Sequence, residues 1–210
     1  MILVSASLLL ILCQWISTSH GQTLLRLTGP EINAVLSYHN RVRSAARATA
    51  MKKLTYSATL ATEVESLATA CKYVNQAAGQ NMYAGSARGR PQLNPAMKWW
   101  ADEGRAYSLA RLACAPGRSC NHYLQMVNKD TSEVGCAMAI CADIQDTTLT
   151  RGGHLIVCKY NPTGPQSGQP PFEAPSAAKA ACSQCESTFG QQFWCVPNQN
   201  ICDQLDISGR

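Results

Sequence analysis

Charge is scarce in this sequence: Asp, Glu, Lys and Arg make up 15% of its 210 residues, against 46% hydrophobic residues. That balance excludes a disordered chain, and the length suffices to bury one sizeable core. The signatures of common hydrolytic and phosphate chemistry are missing, with no G-x-S-x-G, no H-E-x-x-H and no glycine-rich phosphate loop. Past the N-terminus there is no apolar run of the about 20 residues that a membrane span needs. Asn161-Pro162-Thr163 has proline in its middle and so offers no N-glycan acceptor. The net charge is +5, much of it in Arg41, Arg43, Arg47, Lys52 and Lys53. No aromatic residues interleave with this cluster as a nucleic-acid platform requires, so it reads as a solvated helix face. No internal repeat is present.

What is there begins with Ile2 to Leu12, an apolar run of signal-peptide length followed by small polar residues up to Gly21. We expect residues 1–21 to be a signal peptide cleaved after Gly21, rather than an anchor, because Gln14 and Ser17 to His20 interrupt the run too early. The expected location is therefore secreted and extracellular. Of 11 cysteines, discarding Cys13 leaves ten: Cys71, Cys114, Cys120, Cys136, Cys141, Cys158, Cys182, Cys185, Cys195 and Cys202. An even set behind a secretory signal reads as a disulfide framework rather than a zinc site, but sequence alone leaves its connectivity open.

Apolar periodicity places the elements. Thr28 and Glu31 form a T-x-x-E capping box ahead of Ile32, Val35, Leu36, His39, Val42 and Ala46, one stripe of a first helix. A second helix runs from behind Ser57 through Leu60, Val64, Leu67 and Ala68 to Cys71. Asn94-Pro95, cap then first-turn proline, opens a third that carries Met97 and Trp100 inward, and His122 to Val127 suggest a short fourth. Trp99 and Trp100 read as rim and core packing. Val134 to Ile140 and Leu155 to Tyr160 read as the arms of an antiparallel hairpin. The expected fold class is α+β, ending near Phe172, with Pro165 to Ala181 a linker and the last four cysteines a disulfide knot.

Three stretches resemble signatures of the CAP superfamily, which holds cysteine-rich secretory proteins, antigen 5, pathogenesis-related 1 and venom allergen-like proteins. They are Tyr38-His39-Asn40-Arg41-Val42-Arg43, Asn121 to Val127, and Leu155 to Gly164. The resemblance covers about 140 residues. It implies a three-layer α-β-α sandwich over residues 22–172, with 173–210 a linker and cysteine-rich extension. It also implies pairing of Cys71 with Cys141, Cys114 with Cys120 and Cys136 with Cys158. Pro116-Gly117 between Cys114 and Cys120, and the hairpin positions of Cys136 and Cys158, agree with this.

Many family members gather two His and two Glu in a central cleft able to hold a divalent cation. Here the resemblance puts Asn75 and Gln80 where a His and a Glu are usual, leaving Glu103 and His122 as a remnant. Two strong ligands are too few, so no metal or other cofactor is expected, and the pair reads as a hydrogen-bonded lock between helices. Asn128 and Pro165 are further departures, standing where Trp and Asn are usual. The resemblance implies a secreted, non-enzymatic binding protein carrying a sterol or fatty acid in an apolar groove. The alternative is an effector acting on an extracellular protein target, with a metal-dependent hydrolase a distant third.

Overall fold

The computed structural model describes residues 21–74, 78–86, 89–149, 152–165, 168–189, 193–196 and 199–204. Residues 1–20 of the expected signal peptide and Asn75 fall outside these. In chain order the elements are β1 (Thr23–Leu25), α1 (Gly29–Ala45), β2 (Thr55–Tyr56), α2 (Ala58–Glu63), α3 (Glu65–Thr69), β3 (Gln80–Gly85) and α4 (Leu93–Asp102). There follow a 3-10 turn (Glu103–Ala106), β4 (Tyr107–Ser108), β5 (Ala113–Cys114), α5 (Asn121–Met126), β6 (Glu133–Cys141) and β7 (Gly153–Asn161). The tail adds α6 (Cys185–Phe189), β8 (Phe193–Val196) and β9 (Ile201–Gln204).

The sheet runs β1-β6-β7-β3, antiparallel throughout, with β2 parallel to β6. Its two long arms are buried on both faces because side chains alternate. Val134, Cys136, Met138, Ile156, Cys158 and Tyr160 join Val35, Met97, Trp100 and Met126 in one core. Ala137, Ala139, Leu155 and Val157 join Val64, Ala68 and Met82 in the other. Helices α1, α4 and α5 thus cover one face and α2 and α3 the other, which makes the three-layer α-β-α sandwich. The small residues of β6 face α2, which lies so close that a Cβ at Gly135 would stand 2.3 Å from the backbone nitrogen of Ala61.

Several details depart from the periodicity. The second helix is broken at Val64 (φ −102°, ψ 1°), whose buried side chain enters the second core at the joint between α2 and α3, so both pieces lie on β6. The third begins at Leu93, not behind Asn94. Leu93 is buried in the main core, and Pro95 still lies in the first turn, where its missing N–H would have no partner. At α1 the Glu31 carboxylate accepts from both the N–H and the hydroxyl of Thr28, at 2.7 and 2.8 Å. The solvated reading of the basic cluster fails at Arg43. This residue is 0% exposed and its guanidinium donates to the carbonyls of Lys52, Met126, Asn128 and Thr131.

Cysteines pair 71–141, 114–120 and 136–158, the set implied by the resemblance, and the tail pairs 182–195 and 185–202. The tail is docked rather than loose. Cys182 and Gln184 donate their N–H groups to the carbonyls of Ala48 and Thr49, and Lys53 donates to that of Cys202. Ile201 enters the main core, and Lys53 pairs with Asp203 at 2.7 Å. Within the Pro165 to Ala181 stretch, Phe172 is buried, while the Pro171 and Glu173 carbonyls accept from the N–H groups of Lys129 and Thr49.

Candidate functional site

Glu103 opens the turn behind α4 and His122 is the second residue of α5, with the Cys114–Cys120 bridge closing the loop between them. One carboxylate oxygen lies 2.6 Å from His122 Nδ1. The other accepts from the backbone N–H groups of His122 and Tyr123 at 2.9 and 3.2 Å. The carboxylate therefore caps the first turn of α5 while orienting the imidazole. Both side chains are largely buried, 10% and 7% exposed. The ring is flanked by aromatics: Trp100 lies parallel at 6.2 Å and Trp99 meets it edge-on at 4.9 Å. Trp100 is fully buried, whereas Trp99 is 48% exposed at the rim.

Behind this pair runs a polar chain that the sequence did not disclose. Asn81 Nδ2 donates to the His122 carbonyl and to the Tyr160 hydroxyl, both at 3.1 Å. The hydroxyl lies 2.8 Å from His39 Nε2, and His39 Nδ1 lies 2.8 Å from the Val35 carbonyl. A carbonyl only accepts, so Nδ1 carries the proton and Nε2 takes that of Tyr160. Burial holds the His39 imidazolium down to about 4 and pushes the Tyr160 phenol well above its ordinary value. Tyr160 belongs to one of the stretches that carried the resemblance, but its hydrogen bond with Asn81 depends on the β3–β7 register, which sequence spacing does not supply.

The pair opens onto a cleft of about 840 Å³ lined by Tyr73, Trp99, Asp102, Glu103, Arg118 and His122, among others. Gln80 lines a neighbouring cleft of about 270 Å³ with Leu124 and Gln125, and Asn121 borders both. The set does not fit a resident divalent metal. Both Glu103 oxygens already accept hydrogen bonds, Gln80 offers only a neutral amide, and two strong donors fall short of the three that an open zinc site uses. Cys182, Cys185 and Cys202 also cluster, but disulfides consume their sulfurs. Titrating zinc at neutral pH is therefore expected to leave the melting temperature within about 1 °C, since linkage stabilises only when free metal exceeds the dissociation constant. A rise of several degrees would return Glu103 and His122 to the list of ligands.

A second concavity lies between α1 and α4. It measures about 560 Å³ and is lined by Ala34, Tyr38 and Arg41 of α1 and Asn94, Pro95 and Lys98 of α4, together with Ser37 and Gln92. The Arg41 guanidinium sits 4.7 Å from the Tyr38 ring centroid, and Lys98 pairs with Asp102 one turn on.

Family comparison agrees with this architecture. Residues 36–160 match the model of the CAP, cysteine-rich secretory protein family. The chain belongs to that family. Bovine peptidase inhibitor 16 is 30% identical over 189 residues, covering 87% of this chain and 39% of the bovine protein. Chicken peptidase inhibitor 15 is 31% identical over 174 residues, covering 75% of this chain and 66% of its own length. The chain thus spans only about two fifths of the bovine relative. Among solved structures, hookworm platelet inhibitor superposes with a TM-score of 0.68 at 21% identity, covering 86% of this chain and 93% of the other, which is a likeness of fold.

Proposed function

We propose that this is a secreted, non-enzymatic CAP protein that carries a long-chain carboxylate or a sterol in the groove between α1 and α4. The observation that carries the reading is the groove itself. Tyr38, Pro95 and Ala34 supply apolar walls, while Arg41 and Lys98, the latter shared with Asp102, are the two cations among its lining residues. An acyl tail packs against such walls and its carboxylate pairs with the cations. Its volume of about 560 Å³ lies inside the range of about 300–1,000 Å³ common to small-molecule sites. The ten cysteines, all paired, support an oxidising compartment. Glu103 and His122 support a structural rather than a catalytic reading, because the carboxylate is spent on capping α5 and holding the imidazole.

Equilibrium binding of labelled palmitate and cholesterol tests this. Palmitate is expected to saturate at micromolar protein, and the Arg41→Glu, Lys98→Glu variant is expected to weaken it at least tenfold, about 1.4 kcal/mol. Cholesterol, which has no charge to lose, is expected to change less. Failure of both ligands to saturate would favour the second reading, an effector directed at an extracellular protein. That reading has its own support in the peptidase inhibitor names of relatives at 30% and 31% identity.

A further inference from the structure

We infer that the tail is a thiol–disulfide exchange site whose two bridges convert, under catalysis by an external thiol, from 182–195 and 185–202 to 182–185 and 195–202. Two proximities carry this. The sulfurs of Cys182 and Cys185 lie 3.5 Å apart although each is bonded elsewhere, and those of Cys182, Cys185 and Cys202 all lie within 4.8 Å of one another. Cys195 and Cys202 face each other directly across the β8–β9 hairpin. Antiparallel partners stand about 4.5–5.5 Å apart between Cα atoms, within the about 4.4–6.8 Å that a disulfide accepts. The protein already contains a bridge of this kind, because Cys136 and Cys158 are register partners in β6 and β7. Both new bridges are thus available without moving a strand.

Exposure decides where exchange starts. Cys182, Cys185 and Cys202 are buried, at 3%, 3% and 0%, whereas Cys195 is exposed. An incoming thiolate attacks the Cys195 sulfur, forms a mixed disulfide and expels Cys182 as a thiolate. The Cys182 thiolate attacks Cys185, making the 182–185 bond and releasing Cys202 as a thiolate. The Cys202 thiolate attacks the Cys195 sulfur across the hairpin, makes the 195–202 bond and expels the original thiolate. Two disulfides exist before and after, no electrons are gained or lost, and the thiol is regenerated. The pairing with separations of 13 and 17 residues is the one the folded chain holds, and the thiol lets the two pairings equilibrate without being consumed.

The consequence is mechanical. At rest, covalent bonds tie the α6 segment to both strands of the hairpin. In the exchanged form each piece is closed on itself, and among the described residues the hairpin is held on the domain by Val196 and Ile201 at the main core, the Lys53–Asp203 pair and the backbone bonds at Met51 and Lys53.

The test incubates the folded chain anaerobically with substoichiometric reduced glutathione at pH 8, followed by acid quench, alkylation and chymotryptic digestion without reduction. Cleavage after Phe189 separates Cys182 and Cys185 from Cys195 and Cys202. The resting pairing holds the two fragments together, whereas the exchanged pairing yields two separate fragments, each 2 Da lighter than its dithiol. The separate bridged fragments are expected to rise to a constant fraction beside the linked one, the same for different amounts of thiol, while alkylated cysteine stays no higher than the added thiol. Persistence of the linked fragment as the sole bridged species, or its loss directly to alkylated fragments, would overturn the inference. A secreted Cys195→Ala, Cys202→Ala variant is expected to carry a 182–185 bridge, and recovery of both as alkylatable thiols would overturn it equally.

Discussion

Replacing Arg43 with methionine will lower the stability of the domain by about 3–5 kcal/mol, a fall in melting temperature of order 10 °C for a chain of this size. The guanidinium is wholly buried and joins four pieces of backbone: the Lys52 loop, the end of α5 at Met126, Asn128 beyond it, and Thr131 just ahead of β6. Of these carbonyls, that of Asn128 also accepts from the N–H of Thr131, so its loss is partial. Those of Lys52, Met126 and Thr131 would lose the hydrogen bond that Arg43 gives them, at about 1–3 kcal/mol each before relaxation. An opposing effect limits the total. Burial pulls the guanidinium down to about 9, so it remains protonated at neutral pH, and a neutral side chain would relieve that desolvation. Lysine at the same position keeps the charge but cannot spread its donors over four carbonyls, so an intermediate loss is expected. Chemical denaturation of the three proteins decides it. A loss below about 1 kcal/mol for Arg43→Met would mean that the carbonyls find other partners.

How far such a residue could be read beforehand depends on which signals are local. Arg43 stands four residues after His39 and eight after Val35, so it occupies the stripe that the periodicity marks as buried. A cation on that stripe is ordinarily assigned to solvent, since nothing in the sequence announces carbonyls gathered from residues 52 to 131. The capping box at Thr28, the inward Trp100 and the alternation along β6 and β7 were legible because each depends on neighbours within a turn or a pleat. Strand β3 was not, because Gln80-Asn81-Met82-Tyr83-Ala84-Gly85 has neither a clean alternation nor a β-branched run. It is a strand because β7 offers an open edge. The same limit explains the site. Glu103 and His122 were found through the resemblance, but the capping of α5 by the carboxylate and the chain through Asn81 to His39 arise from packing between distant segments.

Acid will destabilise this protein through His39, with the effect concentrated between about pH 6.5 and pH 4. The ring is fully buried and already committed on both nitrogens, donating from Nδ1 to the Val35 carbonyl and accepting at Nε2 from Tyr160, whose oxygen in turn accepts from Asn81. A second proton would turn Nε2 into a donor facing a hydroxyl that now donates to it, within reach of the Arg43 charge that further disfavours imidazolium. The folded value of about 4 lies below the ordinary 6.5, so the unfolded chain takes up its proton first as pH falls. Across that window the unfolded state binds more protons, and stability falls with pH by about 1.4 kcal/mol per unit, about 3 kcal/mol in all. Other groups bear on the slope, among them Glu65, Asp102 and Glu173, whose carboxyls are held down by partner cations. Burial lowers His154 too, which adds a contribution of the same sign. Glu31, held down to about 2 chiefly by its hydrogen bond from Arg90, gives stability that is present above 4.5 and lost only as pH falls toward 2, so it leaves most of the histidine window untouched. Denaturant unfolding at half-unit intervals from pH 4 to 7.5 is expected to show this slope in the natural chain. In His39→Gln, whose amide can still donate to Val35 but cannot titrate, the slope should shrink to what the remaining groups supply, at the cost of a lower plateau at neutral pH. An undiminished slope in that variant would remove His39 as the acid-sensitive group, and so would a ring resonance that titrates near 6.5 in the folded protein.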